Sequence, residues 1–477
     1  MAEATPTPIV HLDVEARQAR GRGARQNASR SSHAVWHPAP DRPDPVVMIA
    51  NQEITRVPEL LPIRHERMLA TPFTFYRGAA IIMAADLATQ PDTGLRVQAC
   101  GDAHLANFGG FMAPDRRIVF DMNDFDETNP GPFEWDVKRL VTSFELAWRE
   151  NGYDQKVGRK IVVNTARAYR AAMAEFAGMG NLELWYDRLD VEQVLARWSG
   201  QVSAEVLARF QRNVGKAEEK NSMKALAKLT EVIDGEHRIK SDPPLVVPAR
   251  ELGTDTAALV SWLHERFRVY RHSLQADRRH LLEGYRIVDV ARKVVGVGSV
   301  GTRCWIMLLL GRNDQDPLFI QVKEANESVL EPYAGRSGYA SHGQRVVEGQ
   351  RLLQSASDIL LGWTKATGID GVEREFYLRQ LWDGKLSPAY ETMEPEMLRV
   401  FGEMCGITLA RGHARSGDRV AINAYLGSGD AFDQAIGEFA TAYADQNDRD
   451  FAAVTAAVAA GRLASAPVPV PVPAPAG

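Results

Sequence analysis

The sequence predicts an α+β protein with a large, mainly helical part and a smaller β-rich part. Long helical patterns dominate residues 134–282 and return in residues 395–411 and 430–462. Between them, residues 285–383 hold apolar strand-like runs such as CWIMLLL and LFIQV. With 477 residues, of which 45% are hydrophobic, the chain is long enough to bury a core in each part.

Composition and charge exclude several classes of protein. The 56 basic and 61 acidic residues give a formal net charge of -5, so we expect neither nucleic acid nor a membrane as a partner. The three cysteines include no CxxC pair and favour a reducing compartment. The N-terminus lacks a secretory signal pattern, and no long apolar run occurs. We therefore expect a cytoplasmic protein that acts on a compact substrate.

The chain is predicted to divide into five segments. Residues 1–40 scatter arginines among small polar residues, which is typical of a disordered basic arm. Residues 41–283 are predicted to form the helical part with the catalytic and metal loops, and residues 284–385 the β-rich, nucleotide-binding part. Helices in residues 386–463 are expected to return to the large part. Residues 464–477 are rich in Pro, Val and Ala, which predicts a disordered tail.

A first group of chemistry-bearing residues lies on two loops, GDAHLANFGGF and NDFDET, each of which follows a predicted strand. Both loops concentrate small polar side chains: Asp102, His104, Asn107, Asp121, Asp124 and Asp126. Mg²⁺ prefers hard oxygen ligands, and phosphoryl transfer needs a carboxylate to accept the proton of the attacking hydroxyl. The pattern predicts one site for both tasks. The alternative is that these residues only form Asx turns.

A second group begins with GVGSVG, which contains Gly296, Gly298 and Gly301. Apolar strand-like sequence lies on both sides, whereas a dinucleotide-binding fold requires a helix after the glycines. The pattern therefore indicates a glycine-rich hairpin that covers nucleotide phosphates with backbone N–H groups. A plain hairpin turn is the alternative interpretation.

Two charged residues downstream of the hairpin are candidates for holding the nucleotide. Lys323 lies on the next predicted strand and Glu348 on the following predicted helix, an arrangement that kinases use to fix the α- and β-phosphates. Glu324 and Glu327 could compete for the lysine. The alternatives are a solvated lysine at a strand end and an exposed helix carboxylate.

The loop motifs resemble those of the aminoglycoside phosphotransferases, a branch of the protein-kinase-like superfamily. The resemblance is carried by GD-x-H-x-x-N followed by a hydrophobic strand and D-F-D. It implies that Asp102 is the catalytic aspartate and that Asn107 and Asp124 bind the metal. It also implies that Asp136, in EWDVKRL, is the buried aspartate that braces the catalytic loop.

Other positions near these motifs are assigned secondary roles. His104 and Asp126 are assigned supporting roles, with His104 interpreted as shaping its loop through backbone hydrogen bonds. The family usually has His-Gly-Asp, whereas this chain has Cys100 at the position of the histidine. Three further basic residues could clamp a substrate phosphate or carboxylate or could pair with the acidic loops: Arg64, Arg67 and Arg77.

The order of the motifs differs from that of kinases, because the glycine hairpin and lysine follow the catalytic loop here. The resemblance therefore implies a bilobal protein-kinase-like fold in circularly permuted order. The whole chain also resembles the uncharacterised bacterial domain-of-unknown-function family 2252. Its hallmarks here are RGAAIIMAADLA, GDAHLANFGGF, NDFDET, WDVKRL, RVVEGQRLLQ, ARGHARSGD and YADQNDRD.

The kinase-like resemblance implies an ATP- and Mg²⁺-dependent phosphotransferase, whereas the resemblance to family 2252 implies no activity. The absence of a basic net charge favours a small-molecule acceptor over nucleic acid. The alternatives are a nucleotide-binding pseudokinase and a nucleotidyl transferase, which would use the same residues. GDAH could also open a metallophosphoesterase site, but the chain has too few of the later histidine ligands that such enzymes need.

Overall fold

A computed structural model of the chain describes residues 11–252, 256–368, 371–381 and 384–463. The predicted tail and the first ten residues of the predicted arm lie outside these ranges. The helices are α1 Val14–Gly23, α2 Pro45–Glu53, α3 Leu61–Met68, α4 Pro72–Gly78, α5 Ala80–Ala88, α6 Phe133–Glu150, α7 Gln155–Gly178, α8 Asn181–Tyr186, α9 Val191–Trp198, α10 Ala204–Glu218, α11 Ser222–Leu229, α12 Thr256–Arg271, α13 Ala276–Glu283, α14 Glu331–Ala334, α15 His342–Leu353, α16 Pro395–Ser416, α17 Arg419–Leu426 and α18 Ala431–Ala459. The strands are β1 Arg96–Ala99, β2 Phe108–Met112, β3 Ile118–Met122, β4 Asn129–Pro132, β5 Leu189–Asp190, β6 Thr230–Ile233, β7 Glu236–Ile239, β8 Val246–Pro248, β9 Arg286–Lys293, β10 Cys304–Leu310, β11 Pro317–Glu324, β12 Gly362–Thr367 and β13 Glu373–Gln380. The predicted mixed α+β class is confirmed.

The largest hydrophobic core lies among α6, α7, α16 and α18. α6 is buried along almost its whole length, from Phe133 to Trp148, because other elements surround it on all sides. Ring stacking of Phe133 on Tyr169 joins α6 to α7, with ring centroids 6.1 Å apart. None of the helices in the described ranges combines the length and the apolar character that a membrane crossing requires.

A six-stranded antiparallel sheet, in the order β12-β13-β11-β10-β9-β8, forms a second core. α12 and α13 cover one face of this sheet, and α11 packs against the other. The predicted start of the β-rich part at residue 284 is therefore wrong, because its edge strand β8 and three covering helices come from residues 222–283. A three-residue strand such as Val246–Pro248 is too short to show a strand periodicity.

Two small antiparallel pairs position the predicted site loops. β1 pairs with β4, and β2 pairs with β3, so that both loops emerge where these pairs meet. Asp102 lies between β1 and β2, and Asp124 lies between β3 and β4. The strands predicted at RVQA and RIVFDM are confirmed, as is the helix that begins at EWDVKRL.

The predicted disordered arm is wrong for residues 11–40, which fold against α17. α1 begins after Asp13, whose side chain accepts a hydrogen bond from the Ala16 amide. Arginines of this segment bond to α17 and its N-cap: Arg17 to the Asp418 carboxylate at 2.8 Å, Arg25 to the Ala424 carbonyl at 2.6 Å and Arg30 to the Leu426 carbonyl at 3.0 Å. Carbonyls at a helix C-terminus attract cations, which explains why this basic segment is ordered.

Candidate functional site

One cavity of about 400 Å³ brings together residues of both predicted groups, although Gly301, Lys323 and Glu348 are not among its lining residues. Its walls include five of the six polar residues of the first predicted group, together with two glycines of the hairpin: Asp102, His104, Asn107, Asp124, Asp126, Gly296 and Gly298. The sixth, Asp121, lies buried in β3, where it pairs with Arg411 of α16 at 2.7 Å. The remaining wall comes from the C-terminal end of α2, from α4 and α5, and from the residues after β11. Segments that are distant in sequence thus line one cavity.

Asp102 is held at the cavity wall by a buried arginine of α6. Arg139 Nε donates to Asp102 Oδ1 at 2.5 Å, and its Nη2 donates to the Tyr76 carbonyl. No described residue donates a hydrogen bond to Asp102 Oδ2, and the nearest imidazole atom, His104 Nε2, lies 3.7 Å away. Burial raises the pKa of Asp102, although the Arg139 charge opposes this shift. The second carboxylate oxygen is therefore open to a ligand hydroxyl.

Asn107 stabilises the same loop and keeps one oxygen free. Its Nδ2 donates to the Asp102 carbonyl at 2.9 Å, and its backbone carbonyl accepts a hydrogen bond from the Asn123 amide. The second bond joins the two polar loops directly. Asn107 Oδ1 has no hydrogen-bond partner among the described residues, so a hard oxygen ligand faces the cavity.

Asp136, at the start of α6, braces the Asp102 loop from inside the core. Its two oxygens accept hydrogen bonds from the amides of Cys100 at 2.6 Å and Gly101 at 2.9 Å. His413 of α16 bonds to the same carboxylate at 3.1 Å. Gly101 has φ +84, and a Cβ here would lie 2.2 Å from the Glu127 carbonyl, so this turn requires glycine. A buried carboxylate, an imidazole and backbone amides thus fix the loop.

Lys323 is a buried partner of the acidic loop after β3. It lies opposite Cys304 and Tyr377 in the sheet register, and it is only 2% exposed. Its Nζ donates to Asp126 Oδ2 and lies 3.9 Å from Asp124 Oδ2. Lys323 is therefore not a solvated strand-end lysine.

The same contacts set the charges of this cluster. Burial opposes ionisation of Asp126, but the Lys323 charge and hydrogen bonds from Lys323 and Tyr377 lower its pKa. Burial and the neighbouring Asp126 charge raise the pKa of Asp124. The two carboxylates raise the pKa of Lys323 against the effect of its burial. Asp126 and Lys323 form the ion pair. The negative charge of Asp124 is compensated less, because Lys323 Nζ lies 3.9 Å from Asp124 Oδ2.

The donors at the cavity fit a cation that arrives with its own anionic ligands. Asp124 and Asn107 offer two hard oxygens, which is the number that Mg²⁺ commonly takes from protein at nucleotide sites. Within the described ranges, no three His, Cys, Asp or Glu side chains are grouped as a metal site. Phosphate oxygens and water would supply the other ligands.

The glycine hairpin lies between β9 and β10, as predicted, and three arginines hold its carbonyls. The bonds are Arg67 to Gly296 at 2.9 Å, Arg64 to Gly298 at 2.9 Å and Arg56 to Val300 at 2.5 Å. Arg64 is fully buried and also bonds to Glu53 of α2 and the Gly78 carbonyl of α4. Arg64 and Arg67 thus organise the hairpin, and neither lines the cavity as a substrate clamp would.

The arginine contacts have a consequence for the hairpin amides. The C=O and N–H groups of a trans peptide point in opposite directions, so the amides after Gly296 and Gly298 point away from the arginines. These amides belong to Val297 and Ser299, which line the cavity. No described residue accepts a hydrogen bond from either amide. Both N–H donors are therefore unpaired among the described residues and belong to residues of the cavity wall.

Glu348 does not meet Lys323, so the predicted ion pair between them is wrong. Glu348 instead accepts a hydrogen bond from Arg351 on its own helix at 2.9 Å, and it is partly exposed. The buried Arg345, one turn earlier on α15, bonds to the backbone carbonyls of Asp126, Thr128 and Asn326. Lys323 takes its carboxylate partners from the loop after β3, and α15 contributes a backbone-binding arginine to that loop.

The other predicted competitors for Lys323 are also occupied elsewhere or exposed. Glu324 pairs with Arg303 at 3.4 Å and Arg374 at 3.6 Å, and Glu327 is exposed at the cavity rim. Sequence reasoning missed Arg345 and Tyr377 as parts of the site. The signal for Arg345 was available, since it lies three residues before Glu348 and so shares its helix face.

Comparison with known protein families identifies the family to which this chain belongs. Residues 56–457 match the family described as an uncharacterized protein conserved in bacteria (DUF2252), and the chain belongs to that family. The matched range includes both polar loops, the glycine hairpin and Lys323. No curated protein and no solved structure matches the chain significantly.

Proposed function

We propose that this chain is a phosphotransferase that uses ATP and Mg²⁺, built as a bilobal kinase-like fold in permuted order. One observation carries the proposal. Lys323, on the strand after the glycine hairpin, bonds to Asp126, which lies 197 residues earlier in the chain and next to Asp124. A nucleotide-binding lysine and a metal-binding aspartate are expected side by side at a kinase site.

The order of elements supports the permuted arrangement. β1, the Asp102 loop, the β2–β3 hairpin and the Asp124 loop follow each other as the catalytic and metal loops of a kinase-like protein do, and α6 then braces them through Asp136. The six-stranded sheet with its glycine hairpin supplies the second lobe. Permutation is tolerated when packed units stay intact, and both cores here are continuous.

In this proposal Asp102 accepts the proton of the acceptor hydroxyl. Its Oδ2 is open to the cavity, while Arg139 fixes its other oxygen and so sets its orientation. The raised pKa of Asp102 makes the carboxylate a better proton acceptor. Arg139 is a positioning residue, since it touches Asp102 and lies behind the cavity wall.

The nucleotide phosphates are proposed to lie between the hairpin amides and Lys323. Val297 and Ser299 offer two N–H donors, and Asn107 and Asp124 would hold Mg²⁺, which supplies positive charge to the phosphates. Lys323 would donate to phosphate oxygens by releasing part of its bond with Asp126. We infer a cytoplasmic location, because all three cysteines are free and buried.

The first test is calorimetric titration of ATP, with and without Mg²⁺, into the full chain. We expect Mg²⁺-dependent binding that Asp124→Asn and Lys323→Met each weaken about tenfold or more, since each removes a charged contact to the ligand. Lys365→Met is the matched control, because Lys365 is exposed on β12 and bonds to Glu373. Circular dichroism of each variant checks the fold. Folded wild-type protein that binds no Mg–ATP would refute the proposal.

Product analysis then separates phosphoryl transfer from nucleotidyl transfer. Incubation of the protein with Mg–ATP and a panel of small hydroxylated acceptors should release ADP and form a phosphorylated acceptor. Release of pyrophosphate instead would assign nucleotidyl transfer. Loss of ADP release in Asp102→Asn, with Mg–ATP binding kept, would support the role of Asp102 as proton acceptor.

A further inference from the structure

The cavity contains two arginines for which no carboxylate partner is found within the described ranges. Arg77 of α4 donates from Nη1 to the Tyr390 hydroxyl at 3.1 Å, and its guanidinium lies 6.0 Å from the Phe73 ring. Arg56 is 9% exposed and bonds to the Val300 carbonyl, while its buried Nε has no partner. By contrast, Arg139 pairs with Asp102 and Lys323 pairs with Asp126.

The carboxylates nearest these arginines are already engaged. Asp102 bonds to Arg139, and Asp126 bonds to Lys323 and Tyr377. Glu127 accepts a hydrogen bond from the Val329 amide at 2.7 Å, and Glu53, the carboxylate whose charge acts most on Arg56, bonds to Arg64 and His65. Arg77 is partly exposed at the cavity wall, but its Nε is buried and has no hydrogen-bond partner, and a buried donor left unpaired carries a free-energy cost. An anionic ligand would remove this cost.

His104 adds an unsatisfied polar atom at the same place. The side chain is 3% exposed, and its Nδ1 has no hydrogen-bond partner among the described residues. The ring packs edge-on against Phe73, with centroids 6.2 Å apart, so that Phe73 supports both His104 and Arg77. His104 therefore lies beside Asp102 with one ring nitrogen unpaired, which adds a candidate ligand contact to the predicted role of shaping the loop.

The position of Arg77 indicates which ligand Arg77 and His104 would bind. Its charge acts on Asp102 and His104, whereas the nucleotide-side groups Asp124 and Asp126 interact with Lys323. The acceptor hydroxyl is expected at Asp102, so an anion on Arg77 would belong to the acceptor and not to the nucleotide.

We propose that Arg77, together with His104, binds a phosphate or carboxylate group of the acceptor. The acceptor class is therefore an anionic hydroxyl compound, such as a sugar phosphate or a hydroxy acid. This assignment rests on the proposed function, because Asp102 defines where the hydroxyl lies. The same chemistry could also bind the terminal phosphate of ATP, and the experiment separates the two sources.

The test is calorimetric titration of inorganic phosphate into the full chain without Mg²⁺ or nucleotide. We expect wild-type protein to bind phosphate and Arg77→Gln to weaken this binding about tenfold or more. Arg77→Lys should weaken it less, since lysine keeps the positive charge but lacks the planar guanidinium with its paired N–H donors. Arg312→Gln is the matched control, because it removes one exposed positive charge from the β10–β11 turn. Equal phosphate affinity in wild type and both Arg77 variants would overturn the subsite.

A second titration uses protein saturated with Mg²⁺ and a non-hydrolysable ATP analogue. Retained phosphate binding supports an acceptor subsite, whereas exclusion of phosphate overturns it and assigns Arg77 to the terminal phosphate of ATP. If the Mg–analogue itself does not bind while phosphate binding still depends on Arg77, the proposed function fails and the anion site remains. The two failures are thus distinguishable.

Discussion

At the residue scale, the most constrained group is the carboxylate of Asp136. It is 1% exposed and joins the amides of Cys100 and Gly101 to His413 of α16. His413 is itself held by the Tyr169 hydroxyl at 2.9 Å. The chain has Cys100 where the aminoglycoside phosphotransferases, which its loop motifs resemble, usually have a histidine. His413 brings an imidazole to the base of the same loop from α16.

Removal of this carboxylate should destabilise the whole chain. Asp136→Ala leaves two buried amides and one imidazole without an acceptor, so we expect the free energy of unfolding to fall by about 2–4 kcal/mol. Asp136→Asn keeps one acceptor oxygen and should cost less. Urea denaturation followed by circular dichroism measures both values. Equal stability of wild type and Asp136→Ala would show that water replaces these bonds.

Buried histidine predicts how stability depends on pH. Burial, with a smaller effect of the Lys138 charge, lowers the pKa of His33 to about 3, whereas an unfolded-chain histidine titrates near about 6.5. Between these values the unfolded chain binds a proton that the folded chain does not. His33 therefore contributes stability above pH of about 6.5 that is lost as the pH falls, with a slope of up to about 1.4 kcal/mol per pH unit.

Urea titrations between pH 7.5 and pH 5 test this prediction. His33→Gln should flatten the dependence, because glutamine can still bond to Tyr425 and takes up no proton. His37→Gln, at an exposed position four residues later, serves as the control and should leave the slope unchanged. An unaltered slope in His33→Gln would contradict the assignment.

At the element scale, α15 connects the sheet to the metal loop through one arginine. Arg345 is fully buried and reaches three backbone carbonyls, whereas Glu348 pairs with Arg351 at the helix surface. A glycine at position 349 lets α15 approach closely, because a Cβ there would lie 2.4 Å from Thr128. α15 therefore packs directly on the residues that follow Asp126.

This contact predicts different outcomes for two substitutions on α15. Arg345→Lys loses the planar fork that reaches several carbonyls and should weaken Mg–ATP binding about three- to tenfold by loosening the Asp126 loop. Glu348→Gln should change the affinity less than about twofold, since it alters only a surface pair. Calorimetric titration of Mg–ATP into both variants shows whether Arg345 or Glu348 contributes more to nucleotide binding. A larger effect of Glu348→Gln would restore the lysine–glutamate pair as a feature of the ligand-bound state.

The same helix shows where sequence reasoning stopped. The pattern RVVEGQR predicts a helix, and α15 spans it, but residues 345 and 348 lie three apart on one helix face. Which of them meets the loop depends on the rotation of the helix about its axis, and a packing contact at Gly349 sets that rotation. The prediction of a disordered basic arm was wrong for a related reason. The arginines of this segment are held by carbonyl acceptors of α17, which lies about 400 residues further along the chain.

At the scale of the whole molecule, the loops and the glycine hairpin of the site were easier to predict from the sequence than the contacts of the elements that pack around them. The loops after β1 and β3 and the glycine hairpin were identifiable because each combines a strand pattern with short-range chemistry. The packing of α11 and α12 on the sheet and the bonds of the α3 arginines to the hairpin were not, because the sheet strands β10 and β11 and the hairpin lie more than 30 residues further along the chain. Long-range packing decides such contacts, and local periodicity does not report it.

One cavity shared by distant segments predicts a coupled response to ligand. Binding of Mg²⁺ with a non-hydrolysable ATP analogue should slow amide hydrogen exchange in residues 99–128 and in residues 294–324 together, because the same ligand contacts both. Residues 222–239, which cover the sheet away from the cavity, should change little and serve as the internal reference. Asp124→Asn should abolish both changes at the same ligand concentration. Protection confined to one of the two segments would mean that the ligand does not bridge them, and the permuted two-part site would then be wrong even though each loop had its predicted local structure.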